Sequence, residues 1–352
     1  MIMNKKYFLF LLMMVTASVF AGCAGQERPA VKNEDVYWPL PPQEPRYKHI
    51  ATYYGKGDIE GSSDMLRFLG EEEEIFLQRP HGIVADSKGN IFVSDIKLLK
   101  VVVFDFEKKK FRTIGDSGVK KVIIPLGLAI DNRQGLLFVA DGSVKQVLVY
   151  DKDSGSLKFV IGQEPGTFLR PVSVAVNPET KRVYVVDTKL HMVKVFDYGS
   201  KFLFSIGKGD RSDEDEGFNV PNQIALDRSG QVYVADMFNR YIKKFSPDGK
   251  FLGKIGYGIG LSTGNFSKLV GVATDSEGHV YGLDTEFCNF QVFDQENKLL
   301  LAVGEPGNGP SRFFMPTNIY IDENNRIYIT DTMNHRIQVI QYLGAKGSGA
   351  VK

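Results

Sequence analysis

The sequence predicts an all-β fold, a six-bladed β-propeller of four-stranded antiparallel blades in which an N-terminal strand closes the last blade. Three observations carry the prediction. One outline recurs six times: Pro-x-x-Ile/Val-Ala-x-Asp, a Gly-containing turn, Ile/Val-Tyr/Phe-Val-x-Asp, a short loop and an alternating apolar run. The copies keep step, because Asp95, Asp141, Asp187, Asp236, Asp284 and Asp331 stand 46, 46, 49, 48 and 47 residues apart. The last copy holds only three strand patterns, while an unmatched fourth-strand pattern, Tyr47 to Gly55, precedes the first copy. Period-2 alternation marks strands half-buried in a sheet. A repeat of this length cannot cover both of its faces alone, so the copies must stack.

The elements follow in chain order. Residues 1–22 read as a signal peptide. Lys5 and Lys6 precede an apolar run from Tyr7 to Phe20, too short for a comfortable membrane span, and small residues follow it. Phe20-Ala21-Gly22-Cys23 resembles the bacterial lipobox, with Phe where Leu is usual. That resemblance implies that Cys23 is lipidated and becomes the mature N-terminus. Ala24 rather than Asp follows it, which in a Gram-negative cell implies outer-membrane sorting. Residues 23–46 read as the lipidated Cys and a tether, because Pro29, Pro39, Pro41, Pro42 and Pro45 favour extended polyproline II. Residues 47–343 form the propeller, with inner strands starting at Pro80, Pro125, Pro171, Pro221, Leu269 and Pro316. Residues 344–352, rich in Gly and Ala, read as a flexible tail.

Composition narrows the partners. Lys+Arg is 43 and Asp+Glu is 42, a net charge of +1 that becomes −1 once Lys5 and Lys6 leave with the signal peptide. Phosphate binding needs a basic excess, so nucleic acid is not the expected partner. With two cysteines and Cys23 lipidated, Cys288 has no intramolecular partner. It reads as a half-buried loop thiol, at the position filled by His191, Arg240 and His335 in other copies.

The stretches DTMNHRIQVI from Asp331 and DMFNRYIKKF from Asp236 resemble the Asn-His-Arg-Ile element of NHL repeats, and the outline is similar to that family across residues 47–343. The tether, Trp38-Pro-Leu-Pro-Pro, resembles that of bacterial six-bladed propeller lipoproteins. The resemblance implies a monomeric propeller on the outer side of a bacterial membrane. Peptidyl-hydroxyglycine lyases share the repeat and bind zinc through channel histidines, one of them in a Pro-His-Gly-Leu element that Pro80-His81-Gly82-Ile83 matches. Gluconolactonase-like propellers hold a metal with channel acids and an Asn.

Six equivalent aspartates argue against catalysis, since one active site does not need six. They read as loop ties that accept backbone N–H bonds, and Asp86, Asp227 and Asp275 read as turn residues. Function belongs where the copies disagree. The residue after each inner-strand start faces the channel mouth: His81, Leu126, Val172, Asn222, Val270 and Thr317. Arg79, Ile124, Arg170, Val220, Lys268 and Met315 precede them. Zinc catalysis needs about three protein ligands, and this set offers one His and no acid, so neither metal nor cofactor is expected. Arg79, His81, Arg170, Asn222 and Thr317 are the candidate ligand-binding residues, with the guanidiniums suited to an anionic group. Two acid runs, Glu71–Glu74 and Asp213–Glu216, fall in inter-blade loops on the mouth face. The leading expectation is a non-enzymatic binding or scaffold module for a small molecule or protein. The rival is a hydrolase or lyase with its site at the mouth.

Overall fold

The computed structural model describes residues 36–61, 75–118 and 120–344. The signal peptide, Cys23, the first part of the tether, Glu71–Glu74 and the tail beyond Gly344 lie outside the described residues. Each copy of the outline forms one antiparallel sheet. Blade one consists of Pro80–Ala85, Ile91–Asp95, Lys100–Asp105 and Lys110–Ile114, paired in that order. Blades two to five repeat the pattern, starting with inner strands Pro125–Asp131, Pro171–Asn177, Pro221–Leu226 and Leu269–Thr274. Blade six supplies Pro316–Ile321, Arg326–Asp331 and Arg336–Tyr342, and Tyr47–Tyr53 adds its fourth strand, with Tyr47 opposite Tyr342 and Tyr53 opposite Ile337. The inner strands pack one on the next, and Pro316–Ile321 returns to Pro80–Ala85 to complete the ring.

One part of the tether behaves differently from the extended spacer expected. Tyr37 and Trp38 pair with Lys48 and Tyr47 as a fifth strand on the outer edge of blade six. The hairpin forms because the closing strand would otherwise leave an unpaired edge, and Tyr37 also lies under the Lys48 ammonium, 5.3 Å from ring centroid to nitrogen.

The core lies between blades. Val84, Phe92, Val101 and Val103 of blade one pack against Leu128, Leu137, Val139 and Leu148 of blade two. The seam between blade one and blade six joins Val93, Val102 and Phe104 to Tyr328, Ile337 and Val339, with Ala51 and Tyr53 of the closing strand beside them. Each seam also receives a plug from the inter-blade loop: Leu77, Val122, Phe168, Phe218, Phe266 and Phe313 sit three residues before the inner strand and are at most 2% exposed. The glycine ending the outer strand makes room. Gly162 has φ +84°, and a Cβ there would stand 2.4 Å from the Phe168 ring. Burying one such side chain is worth about 1.5–3 kcal/mol.

The six second-strand aspartates are 0% exposed and act as ties. Asp95 accepts from the backbone N–H groups of Gln78 and Arg79 ahead of its own blade, and from Lys97 and Leu98 behind it. Asp141, Asp187 and Asp284 do the same. Blades four and six add a buried cation: Lys243 stands 3.2 Å from Asp236, and Arg336 Nε donates to Asp331 at 2.7 Å. Asp86, Asp227 and Asp275 hold turns through their own downstream N–H groups.

Candidate channel-mouth site

Every inner strand breaks register with its partner just after its first residue, in blade one between Pro80 and Ile83 and in blade six between Pro316 and Asn318. Such bulges turn side chains out of the ladder. The residues on them are the predicted mouth positions.

These positions separate into two groups. Asn222 and Thr317 are occupied in joining blades. Asn222 Nδ2 donates to the Val270 carbonyl of blade five at 2.6 Å. Thr317 Oγ1 lies 3.3 Å from the His81 carbonyl and 2.7 Å from Thr332 Oγ1, whose hydroxyl donates to the Pro80 carbonyl at 2.8 Å. Thr330 also donates to the His81 carbonyl at 2.9 Å, so the junction of blades six and one is held by a threonine cluster.

Arg79, His81 and Arg170 form the other group. His81 Nδ1 is sealed from solvent and has no hydrogen-bond partner among the described residues. Burial lowers its pKa to about 4, and the charges of Arg79 and Arg170 push in the same direction. His81 is therefore neutral at physiological pH, and both arginines are close enough to act on it. The two arginines are exposed and are in no ion pair among the described residues. Exposed apolar side chains stand in the loops of the same face: Ile123, Ile124 and Leu169 ahead of blades two and three, and Phe238, Phe314, Met315 and Met333 in blades four and six, all 40–53% exposed.

Other sequence candidates resolve into structure. Cys288 is 5% exposed, burial raises its pKa, and its Sγ donates to the Thr285 carbonyl at 3.4 Å, an arrangement without thiolate character. Of the described acid run, Glu214 pairs with Lys208 and Asp215 with Lys254. Lys243 donates to the Glu214 and Gly217 carbonyls beneath them. No three His, Cys, Asp or Glu residues are placed to hold a metal among the described residues. A cavity of about 310 Å³ lies further along the channel and is lined by none of the six mouth residues. The sequence reading missed it, although the repeated Ala at the fourth position after three of the inner-strand prolines was its visible signal.

Comparison with known proteins agrees with this architecture. Residues 268–343 match the family model described as a 6-bladed beta-propeller. A segment is 26% identical over 129 residues to a probable peptidyl-alpha-hydroxyglycine alpha-amidating lyase of Caenorhabditis elegans, covering 34% of this chain and 37% of that protein. Another alignment, 26% identical over 133 residues, covers 32% of this chain and 38% of the NHL repeat-containing protein 3 of Homo sapiens. The similarity thus spans well under half the length of these curated relatives. A solved auxiliary nutrient binding protein from Bacteroides thetaiotaomicron shares the fold with a TM-score of 0.58 at 15% identity, over 77% of this chain and 71% of that one.

Proposed function

We propose that this β-propeller of the NHL type is a non-enzymatic binding or scaffold module, and that its ligand or partner docks an anionic group on Arg79 and Arg170 at the channel mouth. One observation carries the reading: two exposed arginines stand close enough to a neutral, half-buried His81 for both charges to act on it. Guanidinium forks bind carboxylate or phosphate, and the surrounding rim offers apolar contact. Asn222 joins blade four to blade five and Thr317 joins blade six to blade one, so both serve the ring rather than the ligand itself. The solved nutrient binding protein of like fold is consistent with this use of a propeller.

The module is proposed to be exported, processed at Cys23 and held by lipid on a bacterial membrane, the outer membrane in a Gram-negative cell. It works there as a monomer, with a small molecule or protein rather than nucleic acid as partner. The rival reading, a lyase or hydrolase at the mouth, draws on the name of the nematode relative and on Pro80-His81-Gly82. Stoichiometric zinc or calcium in the purified protein would favour that rival.

The test uses the immobilised protein and an extract of the producing cell envelope. Wild type should retain a species that salt elutes, and Arg79→Ala/Arg170→Ala should lose it without a change in melting temperature. Equal retention by both proteins would overturn the reading.

A further inference from the structure

The channel is divided. Two residues after the inner-strand starts, the six blades place Gly82, Gly127, Ser173, Gln223, Gly271 and Asn318. Gln223 reaches from blade four past blade five to blade six: its Nε2 donates to the Ile319 carbonyl at 2.7 Å and to Asn318 Oδ1 at 3.3 Å. Its Oε1 accepts from the Val272 N–H at 3.2 Å on the way. Only a glycine at 271 permits the crossing, because a Cβ there would stand 2.8 Å from Gln223 Oε1. Beyond this amide bar, on the side away from the mouth, lies the cavity of about 310 Å³.

Side-chain size creates that space. At the fourth position after each inner-strand start the walls carry Ala129, Ala175, Ala225 and Ala273 in four successive blades, where blades one and six carry Val84 and Tyr320. The flanking positions are Leu, Ile and Val, among them Ile83, Leu128, Val174 and Ile224. Polar capacity is concentrated at the closed end. Asn318 is 7% exposed, and its Nδ2 donates to no described group. Ser173 is 4% exposed, and its Oγ accepts from the Ile224 N–H at 3.3 Å, which leaves its own proton free. Both N–H bonds of Gln223 are already used. The free side-chain groups at this end are therefore donors. The lining contains no Lys, Arg or His, and its one charged residue is Glu323, in the turn at the open end.

We propose that this chamber is a second ligand site, separate from the mouth, for a small neutral apolar molecule with a carbonyl oxygen as its head. The oxygen accepts from Asn318 Nδ2 and the Ser173 hydroxyl, and the hydrocarbon part lies along the alanine wall. Donors open to the chamber lose water partners when a ligand enters, so a carbonyl head that accepts in the water's place gains where a bare hydrocarbon does not. A carboxylate would be buried with no cation beside it and with Glu323 at the entrance, which disfavours it. The volume falls at the lower end of the range for small-molecule pockets, roughly 300–1,000 Å³.

The probes are 2-hexanone and hexanoate, titrated into the purified full chain and read by saturation-transfer NMR. The ketone should bind at least about tenfold more tightly than the carboxylate, the ratio expected when one buried charge or donor pair decides affinity. Ala129→Leu, which fills the wall, should abolish ketone binding. Ala175→Val intrudes less and serves if Ala129→Leu lowers the melting temperature. Asn318→Ser should weaken the ketone and leave hexanoate no better. Arg79→Ala/Arg170→Ala should leave ketone binding unchanged, so failure here is distinct from failure at the mouth. Absence of ketone binding, equal binding of hexanoate, retention by both filled variants, or loss on changing only the arginines would each overturn the proposal.

Discussion

Acidification should loosen the ring through two histidines that the fold keeps neutral. His49 lies on the closing strand, 8% exposed, with Nε2 3.0 Å from Thr52 Oγ1 and Nδ1 sealed without a partner. Burial, helped by the charge of Arg336, lowers its pKa to about 4, and His81 is lowered to about 4 as well. In the unfolded chain both titrate near 6.5. The folded form therefore refuses protons that the unfolded chain accepts. This stability is complete above about pH 6.5 and is lost as pH falls towards about 4, where each histidine has cost about 3 kcal/mol. Between pH 6.5 and pH 5 the loss is about 1.5 kcal/mol per histidine, about 3 kcal/mol for the pair. That is a large share of the roughly 5–15 kcal/mol typical of a folded domain.

His279 works in the opposite sense. Its hydrogen bond to Asp275 at 2.8 Å raises its pKa, so its contribution grows as pH falls towards 6.5 and is flat below that. The window from pH 6.5 to pH 5 thus isolates His49 and His81. Urea unfolding followed by circular dichroism at the two pH values should show wild type losing about 3 kcal/mol more than His49→Gln/His81→Gln. Equal losses in the two proteins would refute the reasoning, because every other titrating group is common to both.

Removing residues 1–56 should leave blade six without its outer strands and should lower the melting temperature far more than removing residues 345–352. A truncated chain starting at Gly57 with wild-type melting behaviour would show that Tyr47–Tyr53 does not close the ring. Cys23→Ser should abolish palmitate labelling and shift the protein from the membrane to the soluble fraction. Unchanged fractionation, with no label in wild type, would remove the lipid anchor from the proposed function.

Much of the fold was legible because the positions that build it must recur in every blade. Asp95, Asp141, Asp187 and Asp284 tie the same two backbone segments, and Asp236 and Asp331 hold the upstream one, so each copy had to keep an acid. The orphan strand Tyr47–Tyr53 was legible because a ring of four-stranded blades leaves no place for an unmatched strand. The site was less legible for the complementary reason. Asn222 and Thr317 looked available because they differ between copies, yet their differences serve individual blade junctions. The Gln223–Asn318 contact joins residues of blades four and six, and it depends on the absence of a side chain at Gly271 between them. No period in the sequence reports such a contact across the channel. Tyr37–Trp38 was masked by its prolines, whose stiffness read as extension rather than as the turn of a hairpin.

Ring closure by an N-terminal strand also has a consequence for the order of assembly. Tyr47–Tyr53 leaves the ribosome first among the strands of the six blades proper, just after Tyr37–Trp38, and its partner Arg336–Tyr342 leaves last. Pairing them requires the ends of the chain to meet, the costliest loop the fold has to form. Blades one to five can zip locally as they emerge, while Tyr47–Tyr53, paired only with Tyr37–Trp38, waits with its other edge open and its apolar residues uncovered. If the chain is exported as proposed and folds after crossing the membrane, that waiting strand is the segment most exposed to mispairing. A holding factor on the far side of the membrane would do most good there.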